Sequence, residues 1–249
     1  MAERALEGRI ALITGGAGMI GAATARLLAQ RGATVLVADR PGADWPRLDG
    51  AGAIRRCEGD VTDEADVAAM VAAARAITGR LDILFNNAGI EGPQAALGDY
   101  KASDFRRVLD VNVTGVFLGL SAVMPVMIAQ RGGSIINASS IAGLVGAPMM
   151  AGYIASKHAV LGLTRVAALE GAPHGVRVNA IHPGFIASRM LSDIAGRLGA
   201  SADTLATQVP AGRLGTVEEV ARGVAFLASD DASYMNGSSL VMDGGLVAA

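Results

Sequence analysis

Apolar residues along the chain fall into two alternating patterns. Ile10-Ala11-Leu12-Ile13-Thr14 is a short continuous apolar run that stops at glycines, the pattern of a buried strand. From Ile20 to Gln30 the apolar residues Ile20, Ala23, Leu27 and Leu28 recur at helical spacing, and Gly32 ends the repeat. The alternation continues to the C-terminus. Strands are predicted over 34–38, 81–85, 134–138, 176–181 and 239–242, and helices over 63–78, 104–130, 151–170 and 217–228. Strands buried on both faces and separated by helices belong to a parallel sheet covered by helices. The expected fold class is α/β: one doubly wound domain over 1–249, with a parallel sheet of about seven strands. No linker, charge block or low-complexity stretch divides it. The least regular part, 185–212, is a candidate substrate-binding lid.

Composition narrows the function classes. The chain is 51% apolar and 18% charged, which excludes disorder. Twenty-one basic residues oppose 23 acidic ones, so neither a dominant nucleic-acid footprint nor a polybasic membrane patch is expected. Two uncharged stretches, 111–130 and 132–156, reach the ~20 residues of a membrane span. Their polar residues, glycines and prolines instead suggest a buried helix and a strand followed by a loop. Glu3 and Glu7 lie in the first nine residues and no apolar signal region follows, so no signal peptide is expected. The single cysteine, Cys57, excludes an intrachain disulfide framework and suits a reducing compartment, hence a cytoplasmic location. Cys57 itself reads as a buried apolar residue, and Trp45 as loop packing. His158, His174 and His182 are scattered in no metal-ligand spacing, so no metal site is expected.

The segment Thr14-Gly15-Gly16-Ala17-Gly18-Met19-Ile20-Gly21 leaves the first strand and opens the first helix. Gly16-x-Gly18-x-x-Gly21 has dinucleotide-fingerprint spacing in the required strand–loop–helix context. A helix N-terminus offers unpaired N–H groups and partial positive charge to a pyrophosphate. Asp39 ends the second strand, 18 residues beyond Gly21. An acid there hydrogen-bonds the adenosine ribose and repels a 2′-phosphate, favouring NAD(H) over NADP(H). Arg40 is the dissenting neighbour, since a guanidinium accepts that phosphate.

Tyr153 and Lys157 stand four apart on a predicted helix and share a face. An ammonium near the phenol lowers its pKa from ~10, so the tyrosine can serve as general acid or base. Of the 21 basic residues only Lys101 and Lys157 are lysine. A compact ammonium thus occurs where Arg would be bulkier and forked.

These features, in order, resemble the short-chain dehydrogenase/reductase family over nearly the whole chain, with its Rossmann-like fold. Thr14-Gly15 and Gly21 match the cofactor loop, although Met19 stands where the family usually has its middle glycine. Asn86-Asn87-Ala88-Gly89 matches the NNAG motif, and Asn112 falls in the matching helix. Ser140 followed by Tyr153-x-x-x-Lys157 matches the catalytic set, Pro183-Gly184 follows the sixth strand, and Asp243-Gly244-Gly245 closes the last. The resemblance implies that Tyr153 is the proton donor or acceptor and that Ser140 orients the substrate oxygen. It makes Lys157 a ligand of the nicotinamide ribose and Asn112 part of a water-linked proton relay. It also implies a cofactor site of Gly15, Gly18, Met19, Ile20, Gly21, Asp39 and Arg40, with Asp60 and Val61 bracketing the adenine. Asn87, Ala88 and Gly89 would line the ribose side, and Pro183, Gly184, Ile186 and Ser188 the carboxamide side. The family commonly has threonine at the last position.

The expected activity is reversible oxidation of a secondary alcohol, or reduction of a ketone, with NAD(H). The candidate substrate pocket is Glu91, Ala142, Met149, Met150, Phe185, Met190 and Leu191. It is mostly apolar and suits a hydrophobic or cyclic small molecule. A homotetramer is implied by the family and suits two long apolar helices packing across an interface. Two alternatives stand beside this reading. One is an NADPH-dependent 3-oxoacyl-carrier-protein reductase, opposed by Asp39 and by the lack of a basic residue in Ala17-Gly18-Met19. The other is a non-catalytic NAD-binding regulatory protein, opposed by the complete set of Ser140, Tyr153 and Lys157.

Overall fold

A computed structural model describes residues 5–48, 53–188, 191, 196 and 201–248. Its apolar runs form seven strands: β1 (Ile10–Thr14), β2 (Thr34–Asp39), β3 (Ile54–Glu58), β4 (Ile83–Asn86), β5 (Gly133–Ala138), β6 (Val176–Pro183) and β7 (Ser239–Met242). They pair in parallel in the order β3-β2-β1-β4-β5-β6-β7. Between them lie α1 (Met19–Gln30), α2 (Glu64–Arg75), α3 (Ala102–Leu109), α4 (Gly115–Gln130), α5 (Ala151–Gly171), α6 (Ala202–Gln208) and α7 (Val217–Ala228).

Successive strand side chains point to opposite faces, so each central strand feeds two cores. Ala11 and Ile13 of β1 join Val35, Phe85, Leu28 and Val224 under α1 and α7. Ile10 and Leu12 join Leu36, Leu84, Val123, Met127 and Val160 under α2, α4 and α5. Burial on both faces is why these strands read as unbroken apolar runs. The strand order reverses at β1, between β2 and β4, and ligands of doubly wound sheets bind beyond the strand ends at such a point.

Three elements differ from the sequence reading. β3 was not predicted, because Ile54-Arg55-Arg56-Cys57-Glu58 is a half-exposed charged edge with no apolar run. The single helix predicted over 104–130 is divided by a π-helical turn, Asp110–Thr114, into α3 and α4. Within 185–212, the seven-residue α6 has too short a pattern to register. By length and composition, one helical run among the described residues, Ala102–Gln130, could cross a membrane. Here Val116, Leu120, Val123, Met124 and Met127 of that run pack into the core beneath the sheet.

Candidate active site

The glycine loop carries the turn from β1 into α1. Gly18 caps the helix without a side-chain hydrogen bond, and no acid occupies the first turn. That N-terminus therefore keeps its positive end open toward the cleft. Two glycines are needed for the loop's shape. Gly15 has φ +65°, and a Cβ there would stand 2.8 Å from Ala88 Cα. A Cβ on Gly21 would run into the Gly15 carbonyl oxygen. Met19 departs from the family pattern at no such cost, since it is the first residue of α1 and its side chain is 48% exposed.

A second loop is stitched onto the first. The Asn87 side-chain amide donates to the carbonyls of Thr14 and Gly15, both at 3.0 Å. The Thr14 hydroxyl accepts from the Asn87 and Ala88 amides at 3.1 and 3.2 Å. Asp39 closes the far side. One carboxylate oxygen accepts from the Ala17 amide and the other from the Arg40 amide, both at 2.9 Å. Its remaining lone pairs stay available to a ribose diol. Asp60 Oδ1 accepts from the Thr62 amide and hydroxyl, so it shapes its own turn at the cleft rim beside Val61.

Ser140, Tyr153 and Lys157 converge on the same cleft from β5's end and α5. Ser140 Oγ donates to the Pro183 carbonyl at 3.4 Å and accepts from the Ala142 amide at 3.2 Å. The Lys157 ammonium is buried, donates to the Ala138 carbonyl at 2.8 Å and lies 5.5 Å from the Tyr153 ring centroid. Burial lowers the Lys157 pKa to about 8. Tyr153 corrects a sequence expectation. Its pKa is pushed up to about 12, not lowered, because burial outweighs the hydrogen bond with Ser140, and the Glu91 charge adds to the rise. The Ser140 hydroxyl, rather than the neighbouring lysine, is the group that pulls it back.

Asn112 sits in the π turn and is fully buried. Its amide exchanges two 2.8 Å bonds with the Ile90 backbone and donates to Ser156 Oγ at 3.0 Å. Ser156 in turn donates to the Tyr153 carbonyl at 2.7 Å. Asn112 thus holds the 89–90 loop against α5.

The cleft measures about 1610 Å³ and is lined by both sets of residues. Of the predicted cofactor positions, Gly21 lies within the loop's own packing, while Gly15, Gly18, Met19, Ile20, Asp39, Arg40, Asp60, Val61, Asn87, Ala88, Gly89, Pro183, Gly184, Ile186 and Ser188 face the cleft. Ala142, Met150, Phe185 and Leu191 of the predicted substrate wall face it too. Two others do not. Met149 has φ +66° and is 46% exposed beside the opening, and buried Glu91 accepts from the Gln94 amide at 3.0 Å. Met190 lies outside the described residues. The sequence reading missed Gln94, Arg106, Val111 and Ile141 in the wall, and Leu246 and Val247 from the C-terminal turn. None carries a motif, and only topology brings them here. No cluster of three or more potential metal ligands occurs among the described residues.

The glycine cradle, open helix N-terminus and Asp39 together fit a dinucleotide. Comparison with known proteins agrees. The family model adh_short_C2, described as enoyl-(acyl carrier protein) reductase, matches residues 15–247. Cyclohexanol dehydrogenase of Acinetobacter sp. (strain SE19) is 40% identical over 243 residues, 95% of this chain and 94% of that protein. Cis-4-hydroxycyclohexanecarboxylate dehydrogenase of Sinomonas cyclohexanicum is 44% identical over 248 residues, covering 96% and 97%. The crystal structure of levodione reductase superposes with a TM-score of 0.92 at 38% identity, covering 98% and 99% of the two chains. Similar chains also include a 3-oxoacyl-carrier-protein reductase of Thermotoga maritima, 40% identical over 252 residues, 97% of this chain and 99% of that protein. Similar solved structures hold either NADP or NAD. The chain belongs to the short-chain dehydrogenase/reductase family, oxidoreductases that bind a nicotinamide cofactor.

Proposed function

Starting from that membership, we propose that the protein is an NAD(H)-preferring dehydrogenase of secondary alcohols on hydrophobic, cyclic small molecules. The observation that carries the reading is the convergence of Ser140, Tyr153 and Lys157 beside the glycine cradle. Asp39 supports NAD(H): its fixed carboxylate accepts ribose hydroxyls and repels a 2′-phosphate. The apolar wall and the relatives acting on cyclohexanol and a hydroxycyclohexane support a cyclic substrate.

When bound, the nicotinamide supplies the hydride acceptor or donor. The chain's own residues manage the proton and the geometry. Ser140 Oγ holds the substrate oxygen, and Tyr153 Oη takes its proton in oxidation or gives one to the carbonyl in reduction. With a pKa near 12 the protein alone presents the neutral phenol, the form that reduction uses. Oxidation uses the phenolate, and within this chain the Ser140 hydrogen bond is the group that favours it. With the cofactor bound, Lys157 would hold the nicotinamide ribose, Ile186 and Ser188 would hold the carboxamide side, and Asn112 would serve the proton relay. The substrate-binding lid is assigned to 185–212, of which 189–190, 192–195 and 197–200 lie outside the described residues. Exposed Phe117 on α4 and Val166 and Leu169 on α5 support association of copies into a homotetramer.

The test is a panel of cyclic and acyclic secondary alcohols followed by NADH absorbance, with Tyr153→Phe alongside. Tyr153→Phe is expected to lose turnover while binding NADH within about twofold of wild type. Full activity in that variant removes the catalytic assignment. The second reading, a 3-oxoacyl-carrier-protein reductase, has Arg40 at the cleft and the Thermotoga maritima relative in its favour. A preference for NADPH above tenfold in kcat/KM would select it.

A further inference from the structure

We propose that His182 is a positioning residue that holds Ser140 in place through its backbone. The inference rests on the proposed role of Ser140. β5 and β6 run side by side until Ala138 faces Ile181, and the last backbone bond of their ladder joins the Ser139 amide to the Ile181 carbonyl at 2.9 Å. Ser140 lies one residue beyond. Its backbone is extended, with φ −168° and ψ 169°, and the chain then turns at once into a short 3₁₀ helix, Ile141–Gly143. An unanchored residue at a strand end frays.

The His182 imidazole supplies the missing rung. Nδ1 lies 2.8 Å from the Ser140 carbonyl. A carbonyl only accepts, so Nδ1 carries the hydrogen and the ring is the neutral Nδ1–H tautomer. The next residue, Pro183, places its carbonyl 3.4 Å from the Ser140 hydroxyl, a long contact from which the one hydroxyl hydrogen turns to Tyr153. Consecutive residues of β6 thus face both ends of Ser140, main chain and side chain.

The other ring nitrogen shows that packing alone does not account for this histidine. His182 is wholly buried, and Nε2 has no hydrogen-bond partner among the described residues. Leaving a buried acceptor bare is unfavourable, and an apolar residue in this strand would avoid it. Burial opposes protonation of the ring and outweighs the Ser140 carbonyl bond that favours it, and the Lys157 and Arg165 charges of α5 add to the burial effect. The ring does not line the cleft, so it acts through Ser140 and not on the substrate.

The test uses cyclohexanol and NAD⁺ with wild type, Ser140→Ala, His182→Ala, His182→Asn and His182→Gln. Asn places an amide nitrogen as many bonds from Cα as Nδ1, whereas Gln places it one bond further out. His182→Ala is expected to lose at least tenfold in kcat with the NADH Kd unchanged. His182→Asn should recover to within about threefold of wild type, and His182→Gln should not. The alkaline limb of the kcat profile should also move upward in His182→Ala, because the Ser140 hydrogen bond that lowers the Tyr153 pKa is loosened. A merely structural histidine would lower stability without moving that limb. If His182→Ala fails to fold, the Asn and Gln pair, which both keep a polar amide in the site, decide the matter. His182→Ala within twofold of wild type, Gln equal to Asn, or an unmoved limb overturns the inference. Inactive wild type across the alcohol panel, or active Ser140→Ala, instead overturns the functional reading on which it rests.

Discussion

Lys157 is a buried ammonium that, among the described residues, donates to a single carbonyl, that of Ala138, and that arrangement makes folding stability depend on pH in a defined direction. Its pKa falls from 10.5 to about 8 on folding because burial disfavours the charge. At ~1.4 kcal/mol per pH unit this is a penalty of roughly 3 kcal/mol below pH 8. Between pH 8 and 10.5 the unfolded chain keeps a proton that the native chain has lost, so native stability rises with pH. Lys157→Met fills similar space and removes the titration. The stability of wild type relative to Lys157→Met should therefore be flat below pH 7 and rise by about 2–3 kcal/mol between pH 7 and 10. Cys57, pushed up to about 11, and Tyr153, near 12, oppose this trend in each protein alone. Lys157 is not among the causes of either shift, so both cancel in the difference. Urea unfolding followed by Trp45 fluorescence, without nucleotide and at one protein concentration, measures the two curves. Parallel curves from pH 7 to 10 would falsify the claim that Lys157 is buried as a charge.

Other outcomes follow from the same geometry. Asp39→Ser removes the charge facing a 2′-phosphate, so the NADPH to NADH ratio of kcat/KM should rise at least tenfold, ~1.4 kcal/mol; an unchanged ratio would clear Asp39 of that role. Gly21→Ala forces a Cβ into the Gly15 carbonyl, and NADH titration should show at least tenfold weaker binding. Asn137→Ala strands the buried Asn86 amide that now donates to Asn137 at 2.9 Å, and a urea midpoint should report a loss of ~1–3 kcal/mol for that group. Alcohol oxidation should accelerate with rising pH as Tyr153 ionises, while ketone reduction slows; the reverse dependence would exclude Tyr153 as the proton-transfer group.

Much of this was legible in the chain because the signals were local. Apolar runs named the six most buried strands, and the glycine spacing marked where β1 must turn into a helix. The edge strand β3 was not legible, since Arg55, Arg56 and Glu58 belong to a solvated face and only pairing with β2 makes them strand. Long-range wall residues such as Leu246 were hidden for a related reason: their function is a position, not a residue type. The sign of the Tyr153 shift was misread because spacing shows which charge is near but not how much water is excluded. The i,i+4 pair argued for a lowered pKa, and burial, invisible along the sequence, reversed it.

The π turn shows how a departure from local regularity can be tied to the site. Predicted as one helix, residues 104–130 widen over Asp110–Thr114, and Asn112 sits at the centre. Such turns are rare inside α-helices and frequently mark functional positions. Here the amide of Asn112 makes three bonds, two to the Ile90 backbone and one to Ser156, which itself bonds the Tyr153 carbonyl. One irregular turn thereby links the loop after β4 to the helix that carries Tyr153 and Lys157. A regular helix would rotate the side chains beyond the turn by about 100° per residue removed and break that link. The apolar pattern on either side changes little, which is why periodicity alone reads straight through the residue that joins the two halves of the cleft.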